Sequence, residues 1–459
     1  MPYRVWHGCG ALLTQQVASD SGGLIKLARR MASGVFVVTM LGQGLGFGLQ
    51  LLLARSMDVD AYGVYIYVFS WLMVLVIGVV LGQTQVLLRF VAGYRAEEKP
   101  EELRGLVSFS HRLVAGTSIV ASAVVAGAVL GLGYADSELG LSALVACMIL
   151  PLISLKNIQM AIAHSLRRVV LAKGMDEVAI RGGQGLLFLV LWVVVDRVPA
   201  PHETLLLFGI ASLIAGGVVG WVWRRGLAGE LLSGPGVSHH GMWFKTGLAL
   251  LVVDGLNILL NRTDVLLLGM LRDTTDAGTY AVSSRLAALT LLGFLVIQSS
   301  VLPMLAERFA VKEMGALQRL VSWTAKMSAL LSLALGLGLI VCGEFLLGIF
   351  GVEFQARVPA LLVLTIGQML NAFTGPTGLL LWVTGREQIL AKLLGASLLI
   401  NILLNLWWIP RFGVVGAAYA TVVAYTAWNV VAVFVIRRQM GINSLPLSWF
   451  DLPQNQQEG

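Results

Sequence analysis

The fold class is decided by uncharged apolar stretches such as residues 62–88, which read YGVYIYVFSWLMVLVIGVVLGQTQVLL. A helix of about 20 such residues crosses the roughly 30 Å hydrocarbon core of a bilayer. Because many similar stretches follow, we predict an all-α polytopic membrane protein with about twelve transmembrane helices. The predicted spans are residues 34–54, 62–88, 113–135, 139–160, 178–196, 204–223, 246–270, 283–303, 326–343, 358–385, 389–409 and 412–436.

The composition of the whole chain agrees with a membrane protein. Of its 459 residues, 57% are apolar and only 12% are charged, and the mean hydropathy is +0.82. Soluble domains carry about 25% charged residues, so too few charges remain here to cover a surface that faces water. The net charge of +7 does not indicate a nucleic-acid-binding protein, because the basic residues form short clusters between apolar stretches.

The distribution of Lys and Arg predicts the orientation of the chain. Alternate loops, counted from the N-terminus, hold most of these residues, as in Arg224-Arg225 and Arg437-Arg438. Lys and Arg concentrate in cytoplasmic loops. We therefore expect both termini in the cytoplasm and the protein in the inner membrane of a bacterium. The first apolar stretch follows a basic segment and is predicted to be a retained span rather than a cleaved signal peptide.

The two halves of the chain repeat a sparse pattern. A shift of 215 positions pairs Gly63 with Gly278 and Tyr65 with Tyr280. Six spans separate the two copies, and an even number gives both copies the same orientation, so we predict parallel repeats about an axis along the membrane normal. The predicted organisation is a cytoplasmic segment at residues 1–25, a six-helix lobe at 26–225, a cytoplasmic linker at 226–245, a second six-helix lobe at 246–438 and a cytoplasmic tail at 439–459.

Motifs that would indicate an enzyme have simpler interpretations. Residues 42–48, GQGLGFG, look like a phosphate-binding loop, but no strand precedes them, and glycines four residues apart favour close helix packing. Asp58 and Asp60 look like the metal-binding pair of sugar transferases, yet in a short external turn a helix N-cap is favoured. His239-His240 has no nearby acid or Cys to complete a metal site. We therefore predict no enzymatic activity, no cofactor and no metal.

Ionisable residues inside the seventh predicted span mark a candidate functional site. Asp254, Asn257, Asn261 and Asp264 share one helix face, because they are three or four residues apart. Arg262 is rotated about 200° around the helix axis from Asp264. These two charges are therefore expected to have different partners, or the helix is broken between them.

Further cations lie near the ends of other predicted spans, namely Lys156, Arg181 and Arg285. A charge at the bilayer centre costs about 2.5–3.5 kcal/mol on insertion scales, so each cation should face a polar interior. Two interpretations stay open: ion pairs that hold the helices together, or a water-filled cavity whose cations receive an anionic group. Arg suits a phosphate because its planar guanidinium donates two parallel hydrogen bonds.

Several segments of the chain resemble the polysaccharide biosynthesis flippase family. They are residues 53–55 (LAR), 61–65 (AYGVY), 81–82 (LG), 262–269 (RTDVLLLG) and 277–280 (AGTY). The resemblance extends from Lys26 to Arg438. It implies the two-lobe fold of the multidrug/oligosaccharidyl-lipid/polysaccharide exporter superfamily. It also implies a flippase that moves undecaprenyl-pyrophosphate-linked oligosaccharide by alternating access, for lipopolysaccharide O-antigen, capsule or exopolysaccharide synthesis.

The resemblance also implies roles for the charged residues of the spans. The cations would neutralise the pyrophosphate, and the amides would hydrogen-bond the sugars. The predicted substrate-binding residues are Arg262, Arg285, Lys156, Arg181, Asn257 and Asn261. The predicted ion-coupling or cavity acids are Asp264 and Asp254. The predicted partners are the lipid-linked oligosaccharide, the bilayer, a polysaccharide polymerase and a chain-length regulator.

Two other classes of function stay open at this point. A cation-coupled exporter of drugs or small amphiphiles predicts an acidic cavity, with coupling through Asp254 or Asp264. A non-transporting scaffold or polymerase component predicts a large external loop, and the external loops of this chain are short.

Overall fold

A computed structural model describes residues 21–226, 235–237 and 239–446, and these residues form helices and connecting loops without a strand. The predicted segment 1–25, linker 226–245 and tail 439–459 lie partly outside the described residues. A helix begins at His240, inside the predicted linker. The predicted all-α fold class is confirmed.

The first half of the described chain contains seven helices. Their bounds are α1 Ser21–Ser56, α2 Val59–Val80, α3 Gln83–Ala96, α4 Pro100–Gly131, α5 Glu138–Ser165, α6 Val169–Val195 and α7 Pro201–Gly226. Within α6, residues Gly174–Ala179 form a π-helical turn.

The second half contains eight helices among the described residues. Their bounds are α8 His240–Leu271, α9 Thr274–Ala288, α10 Leu292–Ala310, α11 Met314–Phe350, α12 Val352–Gln355, α13 Val358–Phe373, α14 Thr377–Val383 and α15 Glu387–Met440. A 3₁₀ turn at Leu289–Leu291 joins α9 to α10.

The number of spans follows from helix length and two bends. Ten helical segments of the described chain are long and apolar enough to cross a membrane, and the pair α13–α14, bent by 43°, adds an eleventh. Helix α15 has 54 residues, or about 81 Å at 1.5 Å per residue, which is more than twice the roughly 30 Å hydrocarbon core. Gly413, with φ 56° and ψ −133°, divides α15 in two. Each of the predicted spans thus has a helical counterpart.

Two span boundaries differ from the prediction. Residues 62–88 form two helices rather than one, because Leu81 and Gly82 adopt left-handed backbone conformations, with φ 51° and 69°. The second half of the chain approaches this break closely. A Cβ on Gly82 would lie 2.1 Å from the carbonyl oxygen of Gly247 in α8. The eighth span begins at Thr274 rather than at residue 283, because Asp273 caps the start of α9.

The motifs that looked like enzyme features have structural roles. Asp58 caps α2, since its carboxylate accepts a hydrogen bond from the backbone N–H of Ala61 at 3.0 Å, as predicted. The ring of His240 stacks on Phe109 with centroids 4.8 Å apart. Among residues 21–226, 235–237 and 239–446, no group of three or more His, Cys, Asp or Glu could hold a metal ion.

The two halves meet where α2 and α9 begin, which we name the outer end; the opposite end, near Arg224, is the inner end. A Cβ on Gly278 would lie 2.7 Å from the Cα of Gly63, and Thr275 donates a hydrogen bond to Asp60. Asp60 and Thr275 are 215 residues apart, and the same shift relates Gly63 to Gly278. Equivalent residues of the two copies therefore contact each other, as expected at a two-fold axis of parallel repeats.

The buried apolar side chains form two clusters. The larger cluster combines the first half with parts of the second half and includes Leu72, Trp243 and Phe350. The smaller cluster, with Leu305 and Ile436, belongs to the inner part of the second half alone. The two halves therefore share one core, and part of the second half near the inner end packs separately from it.

Candidate functional site

A cavity of about 580 Å³ lies between the two halves. It is lined by residues of α1, α2, α5, α6, α7, α8 and α9, so both halves contribute to its wall. Four of its charged residues are the cations singled out in the sequence, and one is an acid. These charged residues are Lys156, Asp176, Arg181, Arg262 and Arg285. The cavity therefore carries a positive net charge.

Arg181 and Arg285 occupy space that Gly46 of α1 leaves free. A Cβ on Gly46 would lie 3.0 Å from a guanidinium nitrogen of Arg285 and 3.2 Å from the Cδ of Arg181. Arg181 donates a hydrogen bond to the carbonyl oxygen of Gly42 at 2.6 Å, and Arg285 donates one to Gln43 at 3.2 Å. The glycines that the sequence analysis interpreted as packing residues therefore also make room for two arginines.

Arg262 reaches the same cavity from α8, and its guanidinium carbon lies 5.7 Å from the ring centroid of Phe69. Within the described part of the chain, Arg181, Arg262 and Arg285 have no carboxylate within 4.0 Å. Static ion pairs therefore do not account for these arginines. A partly buried charge without a counter-charge is costly unless water or an anion solvates it.

Lys156, by contrast, has an acidic partner. Its ammonium nitrogen lies 2.5 Å from a carboxylate oxygen of Asp176 in the π-helical turn of α6. The side chain of Lys156 is only 7% exposed and that of Asp176 is 46% exposed. The same turn carries Glu177, which pairs with Lys173 at 3.1 Å. Lys156 therefore has an ion-pair partner, whereas the three arginines line the cavity without a carboxylate partner in the described part of the chain.

The two predicted amides have different positions. Asn261 lines the cavity, and its side-chain oxygen accepts a long hydrogen bond, 3.4 Å, from Tyr425. Asn257 is exposed and does not line the cavity; its amide donates to the carbonyl oxygen of Val253. The structure therefore brings Asn261, and not Asn257, to the cations.

Several uncharged polar residues and one acid of the cavity wall were not predicted from the sequence. Gln184 donates a hydrogen bond to the hydroxyl of Tyr65 at 3.1 Å. The side-chain oxygen of Gln50 is buried and has no hydrogen-bond partner among the described residues. Asp176 precedes the predicted start of its span and therefore looked like a loop residue. Polar residues within apolar spans are the signal that would have identified Gln50 and Gln184.

Asp264 lies outside the cavity, in a polar cluster of the second half, so it is not the cavity acid that the sequence indicated. Its carboxylate accepts hydrogen bonds from Tyr280 at 2.7 Å, Asn401 at 3.0 Å and Asn405 at 2.8 Å. Thr421 donates a further one. The side-chain oxygens of both asparagines are buried without a partner among the described residues. The prediction that Asp264 and the arginine two residues earlier have different partners is confirmed.

Asp254 also lies away from the cavity lining, at a contact between the two halves. Its carboxylate accepts a hydrogen bond from Gln85 of α3 at 2.7 Å. About two turns earlier in the same helix, Gly247 approaches the backbone of Gly82. The acid therefore belongs to the contact that joins α3 and α8 near the inner end.

Comparisons with known proteins give relatives of the sequence. A profile for a family described as "Polysaccharide biosynthesis protein" matches residues 230–359. The protein named "Probable low-salt glycan biosynthesis flippase Agl15" of Haloferax volcanii is 25% identical over 217 residues, which cover 47% of this chain and 46% of that protein. The chain thus matches less than half of the length of this relative.

Solved structures share the fold over most of their length. An inward-facing multidrug resistance MATE family transporter of the MOP superfamily superposes with a TM-score of 0.70 at 12% identity, covering 89% of this chain and 98% of that one. The lipid II flippase MurJ in an inward closed conformation gives a TM-score of 0.65 at 14% identity, covering 88% and 87%. The predicted extrusion-transporter-like fold is therefore confirmed.

Proposed function

We propose that this chain is a member of the polysaccharide biosynthesis flippase family, to which it is similar, and that it moves a lipid-linked oligosaccharide across the membrane by alternating access. The observation that carries the proposal is the cavity between the halves, where three arginines from both halves have no carboxylate partner among the described residues. In a lipid-linked sugar, the phosphate or diphosphate is the group that such guanidinium forks bind. The name of Agl15 as a glycan biosynthesis flippase supports the same activity here.

The rest of the cavity wall suits the sugars. The side-chain oxygen of Gln50, which has no hydrogen-bond partner among the described residues, and the amide of Asn261 can form hydrogen bonds with hydroxyl groups. Phe69 and Tyr65 line the cavity too and offer aromatic faces for sugar rings. A buried acceptor without a partner costs about 1–3 kcal/mol, so a sugar hydroxyl that satisfies it gains this free energy on binding.

The pathway and the membrane follow from the family resemblance. Undecaprenyl pyrophosphate is the proposed carrier, and lipopolysaccharide O-antigen, capsule or exopolysaccharide is the proposed product. The protein would lie in a bacterial inner membrane with both termini in the cytoplasm, which the excess of Lys and Arg in alternate loops supports. A polysaccharide polymerase and its chain-length regulator would use the translocated substrate.

Alternating access requires each end of the cavity to open in turn. At the outer end, Gly63 and Gly278 bring α2 and α9 into backbone contact. Towards the inner end, Gly82 and Gly247 bring the α2–α3 break against α8, and Asp254 accepts its hydrogen bond from Gln85. Each set of contacts joins the two halves, so rocking of one half against the other would break one set and keep the other.

We place ion coupling, by a proton or a sodium ion, at the cluster around Asp264. Its carboxylate is 5% exposed, and burying a carboxylate costs several kcal/mol unless hydrogen bonds compensate for the lost water. Tyr280, Thr421 and two asparagines compensate here and join α8, α9 and α15. Protonating the carboxylate or binding a cation to it would change these hydrogen bonds and thereby the packing of the three helices.

The alternative function is cation-coupled export of drugs or small amphiphiles, which the MATE-like fold would permit. An organic cation is stabilised by acidic residues, and this cavity has four cations for a single acid. The charge of the cavity therefore favours an anionic substrate.

Lipid analysis of cells that lack the protein tests the proposal. Complete lipid-linked repeat units should accumulate while surface polysaccharide is lost, as measured by mass spectrometry of polyprenyl-linked sugars. The wild-type protein should reverse both effects. Unchanged lipid intermediates with normal surface glycan, in a strain without a second flippase, would contradict the proposal, and export of small amphiphiles would then be the function to measure.

A further inference from the structure

The first half carries a second recess, which is apolar and lies at its periphery between α5 and α7. We name it the lateral groove. Its volume is about 480 Å³, and its apolar wall includes Leu152, Leu213, Gly217 and Trp221. Leu213 is 52% exposed and Trp221 is 55% exposed. In a membrane protein such a groove faces the lipid chains.

One end of the lateral groove is strongly basic. Arg224 and Arg225 line it there, at the end that the loop charges predict to be cytoplasmic, and the guanidinium carbon of Arg225 lies 4.1 Å from the ring centroid of Trp221. From Ser212 to Arg225, α7 rises about 20 Å, which is comparable with one leaflet of a bilayer with a roughly 30 Å hydrocarbon core. The groove thus matches a lipid of that leaflet whose phosphate lies at the two arginines.

The lateral groove and the central cavity share one lining residue. Lys156 lines both recesses. Its stem packs on α7, where a Cβ on Gly216 would lie 3.0 Å from the Cγ of Lys156, while its ammonium pairs with Asp176 in the cavity wall. A hydrocarbon chain in the groove would therefore lie directly behind a cation of the candidate substrate site.

We propose that the lateral groove binds the hydrocarbon chain of the lipid carrier, with the carrier's phosphate at Arg224 and Arg225, before the sugar-bearing headgroup reaches the cavity. The inference rests on the proposed function. The groove takes a segment of one hydrocarbon chain and its arginine pair takes a phosphate, so the proposed occupant is a polyprenyl phosphate, the rest of whose chain lies in the bilayer. Continuity with the cavity through Lys156 is the second reason to assign the groove to the substrate.

A second apolar groove on the same half provides a matched control. It has a volume of about 690 Å³ and is lined by α2 and α4, with Gly116 in its wall and Arg112 as its basic residue. It shares no lining residue with the central cavity. A Cβ on Gly217 or on Gly116 would meet nothing within 4 Å, so a large side chain can fill either groove without disturbing the helix packing.

The test measures binding of undecaprenyl phosphate to the purified full-length protein by native mass spectrometry. Gly217→Phe should weaken binding by about tenfold or more, equivalent to ~1.4 kcal/mol, and Arg224→Gln with Arg225→Gln should weaken it likewise. Gly116→Phe should leave it unchanged. Phosphatidylglycerol should displace the polyprenyl phosphate only at much higher concentration.

Two results would overturn the inference: equal binding by the wild type and Gly217→Phe, or equally effective displacement by phosphatidylglycerol, which would make the groove a general lipid site. A separate flipping assay distinguishes the proposed function. If the wild type flips lipid-linked oligosaccharide while Gly217→Phe still binds the carrier normally, the groove assignment alone is wrong. If the wild type flips none, the proposed function is wrong whatever the groove binds.

Discussion

Gly63 and Gly278 are equivalent residues of the two repeats, and they contact each other at the outer end of the molecule. A Cβ on Gly63 would lie 2.3 Å from the carbonyl oxygen of Thr274, and a Cβ on Gly278 would lie 2.7 Å from the Cα of Gly63. Separations this short leave no room for a side chain. The outer end can therefore close in this way only if both positions are glycine.

The first prediction concerns closure of this end. Gly63→Val should keep the outer end open and stop transport, because its side chain would overlap the backbone of α9. In a protein without its native cysteines, the pair Asp60→Cys and Thr275→Cys should cross-link rapidly, and Gly63→Val should slow that cross-link. Gly78→Val is the control, since a Cβ at Gly78 of the same helix meets nothing within 4 Å. An unchanged cross-linking rate in Gly63→Val would refute the role of the glycine contact.

The second prediction concerns the space in which two arginines lie. Gly46→Leu should displace Arg181 and Arg285 and lower the flipping rate by about tenfold or more. This corresponds to an activation free energy that is higher by at least ~1.4 kcal/mol. Gly44→Leu is a matched control on the same helix, because a Cβ there meets nothing within 4 Å. Flipping rates at equal amounts of membrane-inserted protein measure the difference. Equal rates for the two variants would show that the arginines do not need this space.

The third prediction concerns the ion pair of Lys156. Asp176→Asn removes the counter-charge from Lys156, so the purified protein should bind the diphosphate headgroup several-fold more tightly, as measured with a fluorescent lipid-linked oligosaccharide. Adding Lys156→Gln should cancel the gain. Glu177→Gln, in the same π-helical turn but outside the cavity lining, should leave affinity unchanged. Weaker binding by Asp176→Asn would instead mean that Asp176 itself contacts the substrate.

The fourth prediction concerns coupling. Asp264→Asn removes the buried charge while keeping the size of the side chain, so flipping should lose its dependence on a proton or sodium gradient while headgroup binding persists. The measurement compares flipping rates in proteoliposomes with and without each gradient. Asp254→Asn serves as the comparison, because Asp254 lies at the contact with Gln85 and not in this cluster. If Asp264→Asn keeps its full dependence on the gradient, Asp264 is not the coupling site.

Much of the fold could be predicted from the sequence, because charge is so costly in lipid that hydropathy alone outlines the spans. The same cost predicted that Arg181, Arg262 and Arg285 face a polar interior, and they line one cavity. The break at Leu81 and Gly82 could not be predicted in this way, since both residues are uncharged and a left-handed backbone does not change hydropathy.

The partners of the charges were harder to predict than their positions. Asp264 is bound by Asn401 and Asn405, which lie more than a hundred residues away in the chain, and only the packing of α8 against α15 brings them together. Lys156 of α5 meets Asp176, which lies in the π-helical turn of α6. Such pairings depend on helix packing and local backbone geometry, which apolar periodicity does not encode.

The central claim is that the arginine-lined cavity moves a lipid-linked oligosaccharide, and flipping by the purified protein in proteoliposomes tests it most directly. The wild type should expose a fluorescent lipid-linked oligosaccharide to an external quencher, and Arg262→Gln with Arg285→Gln should slow this by about a hundredfold, or ~2.7 kcal/mol. Arg411→Gln, an exposed position outside the cavity, should match the wild type. A double variant as fast as the wild type, with equal protein in the membrane, would contradict the claim.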